Sequence, residues 1–122
     1  MALTNSFKFL QGSRNNRFIA NLKKAKIRHT VDNRGNVHYA AEDEEVVEDN
    51  IISSIRSEVF SSWQILCCPK DWARAYRDYM TARHIPFAEE LIDNQPCFLI
   101  PRKYRPHSWK LKDLTRQADL VG

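Results

Sequence analysis

The side chains best suited to chemistry in this 122-residue chain are four histidines and three cysteines, and their spacing argues against most of what they could do. A structural zinc site pairs cysteines across roughly two to four residues, whereas Cys67 and Cys68 are adjacent and Cys97 stands far away. A thiol nucleophile would draw on Cys67 or Cys68 with His84 or His107, yet no local signature of a thiol enzyme surrounds them. The three glycines, Gly12, Gly35 and Gly122, are too dispersed for a phosphate-cradling loop, which disfavours nucleoside triphosphate chemistry. The reading is a binding protein and not an enzyme, with no catalytic residue, no metal and no cofactor.

Charge carries more information. The formal net charge is +4, and it is unevenly spread. Residues 1–41 hold eight Lys and Arg against Asp32 alone, a balance of +7; residues 42–60 hold seven acids against Arg56, a balance of −6. Residues 61–101 come to −1 and residues 102–122 to +4. A bipolar chain differs from a uniformly basic one, so net charge alone names no partner.

Two stretches follow from this. In residues 102–112 the cations Arg102, Lys103, Arg105, Lys110 and Lys112 alternate with Tyr104, His107 and Trp109. Cations neutralise phosphates and aromatic planes stack on unpaired bases, so the mixture suits a nucleic acid or nucleoprotein. Lys23 and Lys24 would enlarge the patch if the fold brings them near. The competing reading has Tyr104 and Trp109 packing the last helix onto a sheet, with the bases as its solvated rim. The second stretch is acidic: Glu42, Asp43, Glu44 and Glu45, then Glu48 and Asp49. Acids favour helix starts in any case. Their sharper use is to dock a helix end into a basic groove of a host protein. Small inhibitors and adaptors of phages and mobile elements, anti-defence proteins among them, act in that manner.

The elements that position these residues follow from periodicity. Phe7 and Phe9 alternate as a short strand would, and residues 14–26 carry Phe18, Ile19, Leu22 and Ala25 at helical spacing. Residues 27–32 and 36–41 flank Asn33-Arg34-Gly35, which predicts a bulged hairpin pairing Val31 with Val37. His29 then reads as a core-edge histidine. A helix with Val47, Ile51, Ile55 and Val59 at intervals of four follows, then an apolar strand over residues 63–68 and a helix from Pro69 to about His84. Residues 87–92 and 97–100 form a second hairpin around residues 93–96, and a last helix spans about residues 109–118.

The second half echoes the first. A shift of 58 residues places Phe7 and Phe9 on Ile65 and Cys67, Phe18 on Tyr76, Leu22 on Met80 and Ile27 on Ile85; after a three-residue insertion Val37 and Tyr39 fall on Phe98 and Ile100. The expected fold is α+β, two tandem β-α-β-β(-α) units forming one compact domain over residues 1–122, ferredoxin-like in style, with an internal pseudo-repeat of residues 5–60 and 62–118. Leu22-Lys23-Lys24-Ala25-Lys26-Ile27 before one hairpin, and Met80 to Ile85 before the other, resemble the β-α-β-β modules of the ring-building motif in bacterial secretion and flagellar basal-body proteins. They are also similar to a prokaryotic signal-transducing family of comparable size. The resemblance implies a fold and transfers no function or site residue.

A hydrophobic content of 43% supports a core without staples. No apolar run reaches the roughly 18 residues of a membrane span, and residues 1–10 lack the features of a signal peptide. Three cysteines, two of them adjacent, do not suggest a disulfide framework. The expectation is a cytoplasmic protein without a membrane partner, with Cys67 and Cys68 as small buried hydrophobes and self-association through sheet edges as a further possibility.

Overall fold

A computed structural model describes residues 2–121. In chain order the elements are β1 (Asn5–Phe9), α1 (Gly12–Lys24), β2 (His29–Val31), β3 (Val37–Tyr39), α2 (44–59), β4 (Trp63–Cys67), α3 (Ala73–Ala82), β5 (Ala88–Ile92), β6 (Gln95–Pro101) and α4 (Arg105–Val121). Six strands form one antiparallel sheet in the order β2-β3-β1-β5-β6-β4. The fold is α+β, two tandem β-α-β-β-α units sharing a sheet, and the order β2-β3-β1 recurs as β5-β6-β4.

The join between the units dictates where the helices lie. Because β1 and β5 pair antiparallel, the crossovers β1-α1-β2 and β4-α3-β5 run in opposite directions. A right-handed crossover then sends α1 to one face of the sheet and α3 to the other. The cores agree. Phe7, Phe9, Phe18, Leu22, Val47 and Ile52 are buried together on the first face, whereas Leu66, Cys68, Tyr76, Met80, Phe98 and Leu111 are buried together on the second. Phe9 sits opposite Glu90 and Phe98 opposite Glu89, so alternation along β5 separates the two cores.

Both crossover helices end in the same way. Lys26 and His84 adopt left-handed φ values of 59° and 57°, and the amides of Ile27 and Ile85 reach back to the carbonyls of Leu22 and Met80 at 3.0 and 2.9 Å. This is the Schellman turn, which usually places glycine at the left-handed position. Here a lysine and a histidine occupy it.

Two strands depart from the sequence reading. In β4 and the residue after it, the core-facing side chains are Leu66 and Cys68, so they, and not Ile65 and Cys67, are the counterparts of Phe7 and Phe9. One face carries Trp63, Ile65 and Cys67 and the other Gln64, Leu66 and Cys68, so alternation favours the first face, whereas Gln64 is accommodated on the core side by its bond to Ser108. Cys67 instead lies opposite Cys97 and forms a disulfide with it. That corrects the expectation of a buried thiol at Cys67, while Cys68 remains a free buried thiol that burial pushes up to about 11. In the β5-β6 hairpin the loop is Asp93-Asn94 alone, both at positive φ, as a two-residue primed turn requires. The β2-β3 hairpin has the expected register, Val31 opposite Val37, with Gly35 at φ +86°. Asp32 accepts from the amides of Arg34 and Asn36 and pairs with His38; His38 first, then these amides, hold its carboxyl down at about 2.

Helix α2 is not a uniform α-helix. Glu44–Val46 is α-helical, Val47–Ile52 is a π-helix and Ser53–Val59 returns to α. The wider turn brings Val47, Ile51 and Ile52 to the core together, and it also turns Arg56 inward. Arg56 is 1% exposed and binds Glu90 of β5 through Nε at 3.1 and 3.2 Å and Nη2 at 2.7 Å, with Nη1 on Glu48 at 2.5 Å. The rings of Phe7 and Trp63 flank the guanidinium at 5.5 and 5.1 Å. Burial pushes the Glu90 carboxyl above its ordinary value while Arg56 pulls it back. This pair ties α2 of the first unit to β5 of the second.

Candidate nucleic-acid interface

The basic segment begins where β6 ends. Pro101 closes the strand, Arg102–Tyr104 makes one 3-10 turn, and α4 starts at Arg105, earlier than the expected residue 109. Pro106 lies in the first helical turn, where its missing N–H costs nothing. The earlier start places Arg105 one turn before Trp109, and the guanidinium lies over the indole at 5.4 Å.

The inner side of α4 holds it to the second core. Leu111 is buried, Ser108 accepts from Gln64 at 3.1 Å, and Thr115 bonds the Tyr76 hydroxyl at 2.7 Å. Tyr104 packs against that core, and His107 bonds the Tyr79 hydroxyl at 3.0 Å. Both therefore act as packing residues, as the competing reading held for Tyr104. Trp109 is different. It is 55% exposed.

The outer side carries Arg102, Arg105, Trp109, Lys112 and Arg116, whose spacing of three and four keeps them on one face. All are exposed, as are Lys103 and Lys110. Among the described residues, none of Arg102, Lys103, Arg105, Lys110 and Lys112 pairs with a carboxylate; Arg116 approaches Asp113 only at 4.0 Å. A surface cleft of about 680 Å³ opens at the start of α4, lined by Phe60, Ser61, Ser62, Pro86, Arg102 and Lys103 among others. A groove of about 390 Å³ runs between α3 and α4, lined by Tyr79, Arg83, Lys110, Asp113, Leu114 and Gln117, with Arg83 stacked 3.5 Å from the centre of the Tyr79 ring. Arg83 and Arg116 thus extend the cationic band beyond the residues picked out by sequence. Lys23 and Lys24 do not join it: they are exposed on α1, across the sheet from α4.

The acidic stretch divides. Glu44 accepts from Asn5 at 2.6 Å, and burial together with its hydrogen bond to Tyr39 pushes that phenol well above its usual range. Glu48 is engaged by Arg56. Asp43 is half-buried, whereas Glu42, Glu45 and Asp49 are exposed beside Val46, itself 48% exposed.

Among the described residues, no group of three His, Cys, Asp or Glu side chains is placed to hold a metal ion, and no helix is long and apolar enough to cross a membrane. Comparison with known protein families, characterised proteins and solved structures found no match to this chain.

Proposed function

We propose that the chain is a non-enzymatic binding protein whose outer α4 face contacts nucleic acid, free or within a nucleoprotein. The observation that carries this reading is the exposed Trp109, held under Arg105 and set beside Arg102, Lys103, Lys110 and Lys112, cations that among the described residues pair with no carboxylate. In this reading Arg102, Lys103, Arg105, Lys112 and Arg116 lie along phosphates, and the indole offers a plane to an unpaired base. Lys110 and Arg83 line the adjoining groove.

The test is a salt titration of binding to a single-stranded oligonucleotide. Affinity should fall linearly on a double-logarithmic plot, and joint alanine substitution of Arg102, Lys103 and Arg105 should flatten the slope by about 2 to 3. Binding that ignores salt, or a triple variant that matches the wild type, refutes it.

A second reading rests on Val46, an exposed apolar side chain rimmed by Glu42, Glu45 and Asp49. In that case α2 docks on a basic protein surface, as an inhibitor or adaptor would. Reversing Glu45 and Asp49 to lysine should then abolish association with the protein partner and leave oligonucleotide binding intact.

A further inference from the structure

The two units are joined edge to edge, and the same kind of edge is left open at the end of the sheet. β1 is bordered by β3 on one side and by β5 of the second unit on the other, whereas among the described residues β4 is bordered by β6 alone. Its backbone polarity can be read from the hydrogen bonds at its two ends. Arg102 N–H donates to the Ser62 carbonyl and Cys68 N–H to the Pro96 carbonyl, both at 3.1 Å. Bonded and non-bonded pairs alternate in an antiparallel ladder. Gln64 and Leu66 therefore turn their amides and carbonyls toward β6, and Trp63, Ile65 and Cys67 turn theirs outward. Across the junction of β1 and β5, Leu10 N–H donates to the Glu89 carbonyl and Asp93 N–H to the Ser6 carbonyl, so Ser6, Lys8 and Leu10 are the corresponding outward set on the β1 side.

We propose that β4 pairs with β4 of a second copy of this chain, antiparallel about a two-fold axis at Ile65. Trp63 then faces Cys67 of the other copy and Ile65 faces its own counterpart, so that the three outward residues of each strand are matched in register. Residues 60–69 contain no charged side chain, so no like charges face each other between the two paired strands themselves. The strand also lacks the lysine, proline or bulge that usually blunts an open edge. The other open edge, β2, fits less well: it has three residues and lies between Arg28 and Asp32. A β4-to-β2 contact is head-to-tail and builds rings or filaments of several copies, whereas β4 to β4 closes as a dimer. The axis is perpendicular to the sheet, so both copies present α3 and α4 on the same side. The pairing does not depend on α4 binding anything.

The experiment uses the wild-type chain without nucleic acid. Light scattering over about a hundredfold range of concentration should show the mass rising from one 14.3 kDa chain to two. Over the same range, hydrogen exchange should slow at the amides of Trp63, Ile65 and Cys67 and stay unchanged at Gln64 and Leu66. Ile65→Lys, which sets two ammonium groups against each other at the axis, should hold the mass at one chain while circular dichroism stays native. A single-chain mass at every concentration, with those three amides exchanging freely, overturns the proposal. So does a larger assembly that Val31→Lys disperses and Ile65→Lys does not.

Discussion

Replacing Arg56 by methionine tests the account of how the two units are held together. Glu90 is 1% exposed, and Arg56 supplies every hydrogen bond described for its carboxylate. Removing the guanidinium leaves a buried carboxylate unpaired, a change that costs about 3–5 kcal/mol. A chain of this length has a total stability of roughly 6–18 kcal/mol, so the variant should still fold. Glu90→Gln should cost less, about 1–3 kcal/mol, because Arg56 keeps Glu48 and the faces of Phe7 and Trp63. Arg56→Met combined with Glu90→Leu removes both charges and should recover most of the loss. Urea unfolding followed by circular dichroism gives all three values. The reasoning fails if Arg56→Met costs under about 1 kcal/mol, or if Glu90→Gln is the more damaging single change.

Other outcomes follow from single features. Lys26→Gly and His84→Gly should each raise stability by about 0.5–1 kcal/mol in the same assay, since glycine adopts the left-handed turn without the Cβ penalty. Reducing the Cys67–Cys97 bond, which spans 30 residues of sequence, should lower stability by about 3–4 kcal/mol on the loop-entropy account. Cys68, with its thiol pushed up to about 11, should resist a thiol reagent at neutral pH until the protein unfolds. Asp32 has a folded value lowered from 3.8 to about 2, so its contribution is full above about pH 4 and lost as pH falls through about 2. Asp32→Asn should therefore flatten the loss of stability across that window in an acid titration.

Local signals in the sequence were reliable where one principle decided the outcome. Gly35 marked the first hairpin, and the Phe18-Leu22 and Tyr76-Met80 spacings marked the two crossover helices. Where two outcomes satisfied the same pattern, the sequence was ambiguous. Residues 63–68 carry apolar side chains on both faces with Gln64 on the core-facing one, so the phase of β4 and the partner of Cys67 depended on β6, which is distant in sequence. The π-helical turn hid Arg56, because a regular spacing of four puts Val59 at the core in its place. Part of the α4 band was visible as alternating cations and aromatics. Arg83 and Arg116 were missed because one lies on another helix and the other a turn past the segment that drew attention. The separation of Lys23 and Lys24 from that band required the strand order, and with it the handedness of each crossover.

The exposure of Trp109 beside Arg105 is the feature on which the functional reading turns, and its most direct test is binding of a labelled single-stranded oligonucleotide to the wild type and to Trp109→Ala. Fluorescence anisotropy at low salt should show the variant weaker by about 1–3 kcal/mol, roughly 5- to 150-fold, as loss of one stacked base implies. Equal affinity of the two proteins, or no binding by either, would contradict it.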